Sequence, residues 1–213
     1  MIGLLVKVEH PTPMENAVRL ILSILPYNIY RDFNHRFSAV QKEHDDLDFS
    51  LYVDVLPDER IRAYYYGDNS LSMAVHEEYW NGERHETFSD GGFAVDANSI
   101  TQGRLESWFY RVFRLDPPSA KSVSMDGLGQ KLQLIFSVLE NRIMNNAGDK
   151  YELVVTVCPM REKFGIDIHY VNIATRESIW LMDGHIIEPD KVTTELLKEE
   201  YSKEVNGFTP FRR

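Results

Sequence analysis

Apolar and polar positions alternate with a period of two over Phe49, Leu51, Val53 and Val55, with Ser50, Tyr52 and Asp54 between them, which predicts a strand with one buried face. After a turn at Pro57-Asp58-Glu59, the same period puts Ile61, Ala63 and Tyr65 on one side of residues 60–66. Arg60, Arg62, Tyr64 and Tyr66 take the other side. Leu71 to Trp80 and Glu83 to Phe88 flank Asn81-Gly82, the dipeptide that best accepts the positive φ angles of a type I′ hairpin turn. A second antiparallel group follows much later, at Tyr151 to Cys158, Phe164 to Asn172 and Arg176 to Met182, with a short return through His185 to Ile187. Ile2, Leu4, Val6 and Val8 predict one more strand at the start of the chain.

Between these strands the period changes to that of a helix. Thr12, Pro13 and Glu15 form a helix start, with Thr as cap and Glu reaching back to the cap amide, and Met14, Val18, Ile21 and Leu25 share one face until Pro26. Phe33, Phe37 and Val40 suit a short amphipathic helix in the otherwise ambiguous stretch 27–48. Ser99 and Gln102 form a capping pair ahead of the stripe Leu105, Trp108, Phe109, Val112 and Phe113. A further helix starts near Leu128, turns Leu132, Ile135, Leu139 and Ile143 inward, and ends at Asn145-Asn146-Ala147-Gly148. The last helix opens at Pro189 and passes through Leu196, Leu197 and Tyr201.

Strands and helices thus segregate, which predicts an α+β fold with antiparallel meanders at about 49–89 and 151–187 and helices packed on them. Residues 1–213 are read as a single domain, or as two subdomains meeting near 115–124, where Pro117, Pro118 and three serines fall. No repeat in residues is seen between the two meanders, which are either one continuous sheet or two.

With 213 residues, 43% of them hydrophobic, the chain can bury a core without a metal or a disulfide. One cysteine, Cys158, cannot form an internal bridge, and the reading is a cytoplasmic protein with no membrane segment, since no apolar run approaches the ~18 to 20 residues that cross a bilayer. A net charge of -10 argues against direct nucleic-acid binding, which needs a basic surface. That charge is unevenly placed. Between Glu43 and Asp96 stand 14 acids against Arg60, Arg62 and Arg84, whereas the rest of the chain has 19 acids and 20 bases.

The uneven charge leads to the main expectation: a non-enzymatic acidic protein that occludes a basic partner protein, as an immunity protein or a phage or plasmid counter-defence inhibitor would. Aromatic rings supply contact area and carboxylates steer the partner, so the expected interface is Asp54, Tyr64, Tyr66, Glu77, Glu78, Tyr79, Trp80, Glu83 and Glu86. An alternative arises from the hairpin register, which brings His76, Glu78 and His85 to one face as ligands for Zn or Fe in a metal-dependent hydrolase, with Asp167 or His169 as base. A second alternative is a subunit of a larger assembly. Apart from that metal no cofactor is expected, because Gly127-Leu128-Gly129 lacks a full phosphate-loop pattern and Cys158 lies in an apolar strand as a packing residue.

Overall fold

The computed structural model describes residues 12–67, 94–117, 124–160, 163–182 and 185–211. Helix α1, Pro13–Ile24, starts as the sequence predicts: Thr12 Oγ1 accepts from Glu15 N at 3.2 Å and Pro13 occupies the first turn. The Glu15 side chain does not return to the cap. It accepts from Arg19 Nη2 at 2.7 Å, the i,i+4 partner one turn on.

Strands β1, Asn28–Arg31, and β2, Phe37–Ser38, replace the short helix expected over Phe33, Phe37 and Val40. Asp32 decides this: its side chain accepts from Asn34 N at 2.8 Å and from Arg36 N at 3.0 Å, and His35 takes a positive φ of 59°. Such an Asx turn reverses the chain and leaves Phe33 86% exposed.

Strands β3, Asp46–Val55, and β4, Arg60–Tyr66, form the hairpin read from the period, with Val55 opposite Ile61 and Leu51 opposite Tyr65. Then come β5, Val95–Asp96, a 3-10 turn, Ala97–Ser99, and α2, Gln102–Phe113. The cap of α2 is Thr101, whose side chain accepts from Arg104 N at 3.4 Å, rather than Ser99. The aromatic stripe of α2 is buried as expected.

Helix α3, Leu128–Val138, stops earlier than its apolar period implies. Ile143 lies in strand β6, Arg142–Met144, where it pairs with Tyr151, and Gly148 at φ 91° turns β6 into β7 instead of capping a helix. Strands β7, Lys150–Met160, β8, Lys163–Asn172, and β9, Ser178–Trp180, form the second meander. A 3-10 turn, Pro189–Lys191, helix α4, Thr194–Glu204, and strand β10, Thr209–Pro210, complete the order.

The fold is α+β, and the two meanders are one antiparallel sheet. The join is between β3 and β7, where Val53, Asp54 and Val55 stand opposite Val157, Thr156 and Val155. Helices α1 to α4 cover one face, and their apolar residues merge with Phe49, Leu51, Val53, Val55, Ile61 and the matching residues of β7 and β8 into one core. Two tyrosines tie that core to the helix ends: Tyr65 Oη donates to Pro26 O at 2.6 Å, and Tyr170 Oη to Glu140 O at 2.6 Å. Both bonds satisfy a carbonyl just past a helix C-terminus. Among the described residues no helix is long and apolar enough to cross a membrane.

The expected strand at Ile2 to Val8 and the hairpin around Asn81-Gly82 lie outside the described residues.

Candidate functional site

Strand alternation sends a second set of side chains to the face away from the helices. On β3 and β4 this set includes Tyr52, Tyr64 and Tyr66, which gather as one cluster. Tyr52 stacks on Tyr64 with ring centroids 5.7 Å apart and meets Tyr66 edge-on at 6.5 Å, while the Arg62 guanidinium lies 5.2 Å from the Tyr64 ring. Tyr66 is the exposed member, with 41% of its surface accessible. Tyr64 is more enclosed, and burial, with the Asp54 charge adding to it, raises its phenol well above the ordinary range. Tyr64 and Tyr66 of the expected interface are therefore brought together, and Tyr52 joins them.

Asp54 does not belong to that surface. It points to the expected face but is fully buried, since β3 is an interior strand flanked there by β4 and β7. Its Oδ2 accepts from Arg62 Nε at 3.0 Å and from Arg62 Nη2, and its Oδ1 accepts from Thr156 Oγ1 at 2.7 Å. The hairpin register, which sets Asp54 opposite Arg62, carried this signal in the sequence. Of the other carboxylates in the acidic stretch, Asp48 is buried against Arg31 at 2.8 Å, and Asp58 takes Arg60 at 2.9 Å and Arg142 at 3.5 Å. Arg60 also reaches Glu152 at 2.9 Å, so Asp58, Arg60, Arg142 and Glu152 line a shallow pocket of about 110 Å³ in which both arginines already hold carboxylates. Glu43, Asp46, Glu59 and Asp96 remain exposed. Glu77, Glu78, Tyr79, Trp80, Glu83 and Glu86 lie outside the described residues, as do His76, Glu78 and His85 of the metal alternative.

The second meander presents a different outer face. Asp167 and His169 share it, as expected, and both are buried, at 7% and 4% exposure. Asp167 Oδ1 and His169 Nδ1 have no hydrogen-bond partner among the described residues. Burial pushes the Asp167 carboxyl up to about 6, with the Ile168 amide opposing, the Asp54 charge adding, and His185 opposing. Burial pushes His169 the other way, down to about 4, and its ring packs on Trp180 at 4.4 Å. His169 is thus buried beside an indole, with burial favouring its neutral form.

Cys158 is buried, its thiol donating to Gly165 O at 3.7 Å, and burial together with the Asp167 charge pushes it up to about 12. A thiol held protonated and enclosed is inert. Native protein treated with iodoacetamide at about pH 8 is therefore expected to show no adduct at Cys158 by mass spectrometry, with full labelling once urea unfolds the chain; rapid labelling of the folded protein would contradict the burial. The start of α3 likewise offers no open phosphate site, because the Glu15 carboxylate lies against Gly129.

No protein family, no curated protein and no solved structure matches this chain.

Proposed function

We propose that this is a non-enzymatic binding protein that occludes the basic surface of a partner protein in the cytoplasm, using the acidic stretch 43–96 and the tyrosines of β3 and β4. The observation that carries the reading is the gathering of Tyr52, Tyr64 and Tyr66 into one cluster on the strands of the stretch that holds the chain's excess negative charge. Stacked phenols give rigid, amphipathic contact area at low entropic cost, and a lopsided field steers a cationic partner onto them. Asp54 holds the sheet together from within, so the steering carboxylates of this reading are Glu43, Asp46, Glu59 and Asp96, which are exposed, together with Glu77, Glu78, Glu83 and Glu86, which lie outside the described residues.

The test is comparative affinity capture from lysate of the source cells at low and high salt. Wild-type protein is expected to retain a basic protein at low salt and to release it as screening increases. Replacing Glu77, Glu78, Glu83 and Glu86 together by Lys is expected to weaken retention by roughly tenfold or more while the thermal melt stays unchanged. Tyr66→Ala, which removes the exposed ring, is expected to weaken it at every salt concentration. Equal capture by the folded Lys variant would end the reading.

A further inference from the structure

Matched helices and strands recur in the two halves of the chain in the same order and pairing, although their connections differ in length. Leu20, Ile21, Ser23, Leu25 and Ile29 recur at identical spacing as Leu134, Ile135, Ser137, Leu139 and Ile143. The recurrence extends to the bonds these residues make. Ser23 Oγ donates to Leu20 O at 2.9 Å and Ser137 Oγ to Leu134 O at 2.8 Å. Leu25 N closes α1 onto Ile21 O at 2.9 Å, and Leu139 N closes α3 onto Ile135 O at 3.0 Å. Leu51 N donates to Tyr27 O at 2.9 Å, and Leu153 N to Asn141 O at 3.0 Å.

The strands obey the same correspondence. Asn28 and Ile29 pair with Ser50 and Phe49, as Arg142 and Ile143 pair with Glu152 and Tyr151. Leu51, Val53 and Val55 face Tyr65, Ala63 and Ile61, as Leu153, Val155 and Val157 face Tyr170, Ile168 and Ile166. Each half then adds a backbone bridge, Ile61 to Val95 and Ile166 to Ile187, a 3-10 turn, and a threonine-capped helix. Tyr65 and Tyr170 bond the carbonyls of the matching residues Pro26 and Glu140, and each ring meets the matching ring of that last helix, Phe109 at 6.0 Å and Tyr201 at 6.1 Å.

We infer that the chain is a fused pair of copies of one α-β-β-β-β-α unit, meeting about a pseudo-twofold axis as the subunits of a homodimer meet. The contact between halves has the signature of an isologous interface, in which residue i touches j and the counterpart of j touches the counterpart of i. Exchanging each residue of the β3–β7 join for its counterpart turns Val53–Val157 into Val155–Val55 and leaves Asp54–Thr156 as it was. Asp54 and Thr156 are counterparts that hydrogen-bond to each other, at 2.7 Å. Glu15 and Gly129, also counterparts, touch where α1 approaches α3. Two self-matching contacts, one on each side of the sheet, define an axis through it.

The axis assigns a role to one polar row on the outer face. Running across β4, β3, β7 and β8, the residues Arg62, Asp54, Thr156 and Asp167 stand directly opposite one another in sequence, and the axis exchanges the two inner positions with each other and the two outer ones with each other. The copies have diverged at both levels. The first holds the carboxylate at the centre and the guanidinium outside it, and the second holds the hydroxyl at the centre with a carboxylate outside. Similarly, Tyr52, Tyr64 and Tyr66 occupy positions that Val154, His169 and Val171 take in the second copy, so the tyrosine cluster is specific to one copy and is not required by the shared unit.

The test exchanges the row in the intact chain and follows urea unfolding. The double variant Asp54→Thr with Thr156→Asp moves the central carboxylate across the axis to face Asp167 and strips Arg62 of its acceptor, so its midpoint is expected to fall well below that of wild type. Adding Arg62→Asp and Asp167→Arg rebuilds the row in the opposite sense, and this quadruple variant is expected to regain at least half of the loss. A quadruple variant no more stable than the double would overturn the equivalence of the positions. If neither variant folds, Tyr65→Phe and Tyr170→Phe decide: equal shifts in midpoint support the axis, and a shift in only one refutes it.

Discussion

Asp54→Ala is expected to lower the unfolding free energy by about 3 kcal/mol, read from urea denaturation, because removing one partner of a buried ion pair leaves the other charge uncompensated. The side chain is fully buried and accepts from two strands at once, Arg62 on β4 and Thr156 on β7. Its removal leaves a guanidinium and a hydroxyl without their acceptor at the line where the halves join. Arg62 keeps a quarter of its side chain exposed, 25%, and can turn partly to water, which places the loss at the lower end of the range for buried pairs. Asp54→Asn separates the terms: it keeps an acceptor for Thr156 but removes the charge that faces Arg62, so it is expected to fall between wild type and Asp54→Ala. A melt of Asp54→Ala identical to that of wild type would show that the row does not hold the halves together.

Asp167→Asn is expected to act in the opposite direction, raising stability at about pH 8 by up to roughly 3 kcal/mol, a bound set by a shift of about two pKa units. The carboxyl is buried with one oxygen lacking a partner among the described residues, and burial lifts it from its ordinary 3.8 to about 6, the Asp54 charge adding to the effect against the Ile168 amide and His185. A folded value above the unfolded one means that the stabilisation by the neutral acid is complete below the unfolded value and is lost as pH rises through about 6. Asn is neutral throughout and escapes that loss. The advantage of the variant should therefore hold level from pH 8 to just above 6 and shrink as pH falls from about 6 toward 4. His169 has the reverse dependence: pushed down to about 4, it supports the fold above its ordinary 6.5 and withdraws that support as pH falls through about 4. Because His169 is present in both proteins, the difference between wild type and variant isolates Asp167. A difference that does not vary with pH would mean that Asp167 is ionised alike in the folded and unfolded chains.

Where alternation alone governs side-chain direction, Tyr64 and Tyr66 of the candidate surface were legible in the sequence. The period of two separated Tyr64 and Tyr66 from Ala63 and Tyr65 correctly, and the structure gathers the first pair beside Tyr52. Direction, however, is not exposure. Asp54 was placed on the right face and given the wrong role, because whether an outward-facing residue meets solvent depends on which strands flank it, and β7 arrives from the far half of the chain. Asp167 and His169 show the same limit. The repeat is hidden in the sequence for a related reason: fourteen residues separate Arg31 from Asp46 but only five separate Met144 from Lys150, so matched strands fall out of phase along the chain while remaining in register in space.

What the sequence by itself determined was the local chemistry: the cap at Thr12, the hairpin from β3 to β4, the buried aromatic stripe of α2, and the segregation of helices from strands. Such features depend on backbone periodicity and on hydrogen bonds spanning a few residues. Only the tertiary structure decided that Ile143 leaves the helical period to pair with Tyr151, that two meanders form one sheet, and that Asp54 meets Thr156 on an axis between two similar halves. Those outcomes depend on strand pairing between distant segments, whose favourable hydrogen bonds and apolar burial exist only once the whole chain has come together.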